Sequence, residues 1–147
     1  MREAALWVLG AVALIMLVAL LSYSKDDPGF SHAVNNGPLR NQIGTVGAWF
    51  ADVAFSLFGA PAVLFPAMVM LAGWVIFNAR TSPEPIDRTL LLTRAAGFVL
   101  TLASSCALAA LHFSAPDLPA TAGGGFGELL GHWLEAGLGL LGATLLL

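Results

Sequence analysis

Ala4 to Leu21 contains no Asp, Glu, Lys or Arg, and the same is true of Val53 to Ala79 and of Ala95 to Pro116. About 20 apolar residues in a helix cross the roughly 30 Å of hydrocarbon in a bilayer, and runs of this length have few other uses. The chain has 147 residues, of which 58% are hydrophobic and 10% charged, and its mean hydropathy is +0.83. A soluble domain carries about 25% charged residues, so most apolar surface here must be buried in lipid. The fold expected is an all-α membrane protein.

Charge sets the orientation. Arg80, Arg88 and Arg94 fall between the second and third apolar stretches, and the stretch after the third has no arginine. Basic residues are retained on the cytoplasmic side, so Arg2 and the arginine segment are expected inside and the polar stretches 23–42 and 112–127 outside. Lys25 and Arg40 oppose this assignment, but Asp26 and Asp27 adjoin Lys25 and the arginine cluster is denser. The first run is too long for a signal peptide's apolar region of about 7–15 residues, so it is expected to be retained.

The stretch 43–78 is too long for one span and contains Gly59-Ala60-Pro61, so it reads as two helices. In the first, Ile43, Val46, Trp49, Phe50, Val53 and Leu57 recur at helical spacing, with Thr45, Ala48, Asp52 and Ser56 on a more polar face. This short amphipathic helix, about 43–58, is expected to lie at the outer interface or to re-enter without crossing, with Asp52 at the water interface or in a polar contact. Spans are expected at about 4–22, 61–78, 93–111 and 127–147: four transmembrane helices plus the amphipathic one. Were both pieces of 43–78 to cross, the count would rise to five and the arginines would lie outside, against the charge pattern. Gly123-Gly124-Gly125 reads as a flexible loop. A chain stopping at Leu145-Leu146-Leu147 would leave a carboxylate at membrane depth, so a cytoplasmic continuation is expected.

Several chemistries find no support. The six Lys and Arg residues are scattered, which excludes a phosphate-neutralising stripe for nucleic acid. No GxxxxGK[ST], HExxH, CxxC or GxSxG occurs. No catalytic, cofactor or metal residue is assigned. Cys106 reads as a small core residue, and Trp7, Trp49, Trp74 and Trp133 as belt or packing residues. Glu128, His132 and Glu135 share one helical face near His112, but their spacing matches no metal motif and fits a solvated helix end. Asp52, an ionisable group in an apolar segment, is the sharpest candidate. A small oligomeric channel or transporter with Asp52 in a polar path is the alternative, and a membrane enzyme built on the Glu128 face a third. The small residues Gly44, Gly47, Ala51 and Ala54 form a stripe suited to close helix packing, within the chain or against a neighbour.

From Leu21 to Gly73, the order Ser22-Tyr23-Ser24-Lys25-Asp26-Asp27-Pro28-Gly29-Phe30-Ser31, Asn36-Gly37, Gly44 to Asp52, then Phe55-Ser56-Leu57-Phe58-Gly59 resembles the N-terminal four-span membrane domain of the FtsK/SpoIIIE family of bacterial DNA translocases. The resemblance implies an inner-membrane anchor at the division septum, partnered by the lipid bilayer, other divisome membrane proteins and further copies of itself. It also implies a linker to a cytoplasmic ATPase motor, with ATP, Mg and DNA contacts belonging to that motor and no cofactor to this chain. Asp27, Pro28, Gly29, Phe30, Gly44, Gly47, Trp49, Asp52 and Gly59 are the residues it marks for interaction or structural roles.

Overall fold

The computed structural model describes residues 2–31, 38–79 and 88–147. The expected loop residues Asn35, Asn36, Gly37, Arg80, Thr81, Ser82, Pro83 and Pro85 lie outside the described residues. The fold is all-α: α1 (Arg2–Leu21), α2 (Thr45–Phe58), a 3-10 turn (Ala60–Val63) leading directly into α3 (Leu64–Ala79), α4 (Arg88–His112) and α5 (Gly124–Leu146).

Helix length separates two roles. At about 1.5 Å per residue, α1 reaches about 30 Å and α4 about 37 Å, whereas α2 reaches only about 21 Å. The turn and α3 together match the hydrocarbon thickness at about 32 Å. α1 and α3 pack antiparallel, with Leu20 joining Ala62 at one end and Leu9 opposite Gly73 towards the other. A Cβ on Gly73 would lie 3.1 Å from that of Leu9, so the missing side chain sets how closely the two helices approach. Trp7, Leu14, Met70, Leu71 and Trp74 point outward from this pair, an exterior suited to lipid.

The buried centre lies where α2 meets the other elements. Leu20, Ala51, Ala54, Phe55 and Ala62 form it, flanked by Tyr23, Phe50, Phe58, Phe65 and Leu118. Aromatic edges extend it: Phe58 meets Phe65 at 4.9 Å and Phe126 at 6.0 Å between ring centroids, and Phe65 meets Phe98 at 6.1 Å. Thus α2, α3, α4 and α5 share one aromatic seam.

Three expectations require correction. Gly123-Gly124-Gly125 is not a flexible loop: it is the most closely packed junction described in the chain. Gly59 (φ 60°) ends α2, Ala60 N–H donates to the Ala122 carbonyl at 2.8 Å, and Gly124 (φ 66°) opens α5 against the backbone of Leu57 and Gly59. A Cβ on Gly123 or Gly127 would fall 2.0 or 2.2 Å from the Cys106 carbonyl oxygen. Cys106 is fully buried there, its thiol donating to the Phe58 carbonyl at 3.3 Å. A run of glycines has a second use besides mobility, which is to let backbones touch.

Next, the helix expected at about 93–111 begins at Arg88 and so includes residues 88–92. The final helix, expected at about 127–147, starts at Gly124 and is broken at Gly139 (φ 70°, ψ 166°). Gly127 packs on Cys106 and Gly131 on Leu111, so the first part of α5 advances in the same sense as the end of α4. After the break, Thr144 Oγ returns to His112 Nε2 at 2.8 Å.

The junction yields a sharp contrast. Gly127→Ala should destabilise the domain by about 2 kcal/mol or more through backbone overlap, whereas Gly137→Ala, with nothing within 4 Å of the added Cβ, should be neutral or slightly stabilising. Thermal unfolding followed by circular dichroism in detergent checks this, and equal melting temperatures for the two variants would contradict the packing described.

Candidate functional site

At the end of α1, the chain leaves the helix at Ser22 and makes a hydrogen-bonded turn, Asp27 N–H donating to the Ser24 carbonyl at 3.1 Å. The turn therefore precedes Asp27, while Pro28 and Gly29 continue past it towards α2. A second turn closes before α2, where Gly44 N–H reaches the Asn41 carbonyl at 3.0 Å and Ile43 N–H the Asn41 side-chain oxygen at 3.0 Å. Gly44 (φ 81°) then redirects the backbone into the helix, a conformation that a side chain would disfavour.

Two buried carboxyl groups organise what these turns bring together. Asp27 accepts hydrogen bonds from the backbone N–H groups of Arg40 at 2.7 Å and Asn41 at 2.8 Å, pinning the returning strand of the loop. Asn41, also buried, donates to the Ala19 carbonyl at 2.8 Å and so helps satisfy the last turn of α1. Gly47 passes so close that a Cβ would lie 2.5 Å from the Asn41 side-chain oxygen.

Asp52 is the second node. Projecting from the middle of α2 and 2% exposed, it accepts from Ser31 N–H at 2.6 Å, Ser31 Oγ–H at 2.8 Å and the Tyr23 hydroxyl at 3.1 Å. Gly29 lies against it, and a Cβ there would be 2.5 Å from the Asp52 carboxyl oxygen. Of the two environments expected for Asp52, water at the interface or a polar contact, the structure shows the second. Burial of a carboxyl group is costly unless protein donors replace water, and three such donors are supplied by the first loop.

The whole of α2 is turned accordingly. Gly47, Ala48, Ala51, Asp52, Ala54 and Phe55 face inward, whereas Val46 (79% exposed), Trp49 (55%) and Leu57 (49%) face out. An interfacial helix presents its polar side to water; here the polar side meets protein and the outward side is apolar. The small-residue stripe seats on this chain's own residues. Of the other residues marked in the sequence, Gly44 and Gly59 hold positive φ at the two ends of α2, Phe30 is exposed, and Pro28 is half-buried between Asp27 and Gly29. Glu128, His132 and Glu135 are exposed, and no metal-ligand cluster occurs among the described residues.

Tyr23, Ser31 and Asn41 were not singled out by sequence reasoning. The first two lie in the loop motif and the third shows no pattern, because side chain to backbone bonds across a loop leave no periodic trace.

Burial, the Asp52 charge and the hydrogen bond to it hold the Tyr23 phenol above its ordinary value of about 10. A folded-state value raised in this way means that the Tyr23 contribution is complete below about pH 10 and is lost as pH climbs through the folded value. Tyr23 is the only tyrosine of this chain, so phenolate absorbance reports it alone. Its midpoint should exceed that of free tyrosine and move back towards it in Asp52→Asn. An ordinary midpoint in the unsubstituted chain would show that the phenol is not enclosed. Asp52→Ala, which strands three donors, should lower stability by about 3 kcal/mol in detergent unfolding.

A family model for the 4TM region of DNA translocase FtsK/SpoIIIE matches residues 1–147. Among curated relatives, the DNA translocase FtsK of Pseudomonas putida is 40% identical over 147 residues, covering 99% of this chain and 18% of its own length. DNA translocase FtsK 2 of Ralstonia nicotianae is 40% identical over 144 residues (93% and 18%), and the Vibrio vulnificus FtsK 37% over 131 residues (88% and 13%). The chain thus spans 13–18% of the length of these relatives. No solved structure matches it. With α4 long and apolar enough to cross a bilayer, further apolar helices beside it among the described residues and a match along its whole length, the chain belongs to the FtsK/SpoIIIE family of DNA translocases, as its N-terminal membrane region.

Proposed function

We propose that this domain anchors a cell-division DNA translocase in the bacterial inner membrane, targets it to the division septum and assembles it with other divisome membrane proteins and with further copies. ATP hydrolysis and DNA movement belong to the remainder of such a protein, whose relatives extend well beyond the matched region. The observation that supports a targeting role is the loop clamp. A tether alone needs only apolar helices, yet here Asp27, Asn41 and Asp52 tie Tyr23, Ser31, Arg40 and the end of α1 together beside an exposed Phe30. An exposed aromatic residue beside hydrogen-bonded loop residues is a recognition surface in form. Asp52 acts in this reading as the residue that positions the loop, and its engagement by Tyr23 and Ser31 favours that role over lining an ion path.

The orientation proposed puts the clamp outside and Arg88 inside. An impermeant maleimide applied to intact cells should therefore modify a cysteine placed at Asn35 but not one placed at Pro85. In dividing cells, the full-length protein fused to a fluorescent reporter should collect at mid-cell. Combined Asp27→Ala, Pro28→Ala and Gly29→Ala should reduce that recruitment much more than it reduces membrane insertion, because every span is left intact. Unchanged recruitment at equal membrane level would remove the loop from targeting, and equal loss of insertion and recruitment would reduce it to a folding role.

A further inference from the structure

An open cleft of about 360 Å³ lies beside the clamp, between the first outer loop and the segment joining α4 to α5. Its floor is apolar and belongs to helix ends and the buried centre: Leu20 from α1, Phe55 from α2 and Leu118 from the second loop. Its rim is charged and balanced. Lys25 and Arg40 supply two cations, Asp26 and Asp117 two carboxylates, and all four line the same space.

The ion pairs on this rim are loosely made. Lys25 Nζ stands 3.9 Å from Asp117, with the two side chains 58% and 94% exposed, and Arg40 reaches Asp26 at 3.0 Å while both remain largely exposed. Exposed pairs of this kind contribute little to stability, so a ligand carrying both charges can replace them at small cost. We propose that the cleft binds the headgroup of phosphatidylethanolamine, or of a phospholipid with the same phosphate and primary ammonium.

Three features favour this occupant. The charges match: phosphate oxygens accept from Lys25 and Arg40, and a primary ammonium has three N–H donors for Asp26 and Asp117. A choline head has no N–H to donate and an anionic glycerol head has no cation, so neither can hydrogen-bond the carboxylates through an ammonium. The position matches as well, because the floor lies where the apolar surface of α1 gives way to the polar loop, the depth at which glycerol and the first acyl carbons of a lipid sit. Finally, the volume accommodates a headgroup with its glycerol but not a folded partner. The site stands independently of any septal role, since it depends only on the chain being a membrane domain.

Ser24 lines the cleft, so a cysteine there reports occupancy. The full-length protein carrying Ser24→Cys is placed in micelles doped with short-chain phosphatidylethanolamine or phosphatidylcholine, and maleimide modification of the peptide containing residue 24 is followed by mass spectrometry. Modification should be about fivefold slower with the ethanolamine lipid, the protection expected at about four-fifths occupancy. Adding Asp117→Asn should abolish the difference while leaving the rate in the choline lipid unchanged, which shows the loop still folded. Equal rates in the two lipids would overturn the proposal, as would a difference that survives Asp117→Asn. Protection in native membranes but in neither micelle would identify a protein occupant and equally refute the lipid.

Discussion

A carboxyl group inside an apolar helix cluster persists only where protein donors replace the water it has lost, and Asp52 takes its donors from residues 21 and 29 positions earlier in the chain. That requirement couples elements that hydrophobic contact alone would leave independent. α2 is too short to cross a bilayer and has an apolar outer side, so nothing in its own composition fixes its rotation about its axis. The bonds from Ser31 and Tyr23 fix it, turning the small side chains of Gly47, Ala51 and Ala54 inward and Trp49 outward. The same bonds tie the loop residues 23–31 to α2, and Ser31 can reach Asp52 only if Gly29 passes it without a side chain.

A second constraint acts on the other side of α2. In hydrocarbon, helices gain nothing from hiding apolar surface from one another, and association rests on close packing and on hydrogen bonds. The junction of Gly59, Gly123, Gly124 and Gly127 with Cys106 supplies both: backbone approaches backbone, and Ala60 N–H and the Cys106 thiol find carbonyl partners across elements. Between the polar clamp at one side and the glycine junction at the other, α2 becomes the keystone of the domain, although it is the shortest of its α-helices.

What was legible in the sequence follows from which signals are periodic. Uncharged runs announce helices that lipid can cover, and α1, α3 and α4 appear where those runs lie. Gly59-Ala60-Pro61 correctly divides 43–78, because a positive φ at Gly59 and a proline at the start of the turn are local requirements. Two environments stayed open for Asp52, water at the interface or a polar contact, because amphipathicity in water places the polar side outward, whereas in a membrane domain the polar side can be the one that meets protein. The glycine run was misread because composition cannot distinguish a flexible segment from one that must let another backbone touch it. Asn41 left no signal at all, since its value lies in bridging the end of α1 and the start of α2 through single bonds to backbone.

The Ser31 backbone N–H tests the keystone role of Asp52 most directly. It lies in a loop, with no helix or strand to slow its exchange, and its recorded acceptor is the Asp52 carboxyl group at 2.6 Å. Hydrogen–deuterium exchange of the domain in detergent, resolved to this amide, should show protection comparable to the middle of α2, lost together with that of the Arg40 and Asn41 amides in Asp52→Ala. Exchange of Ser31 at the rate of an unstructured chain in the unsubstituted protein would contradict the account.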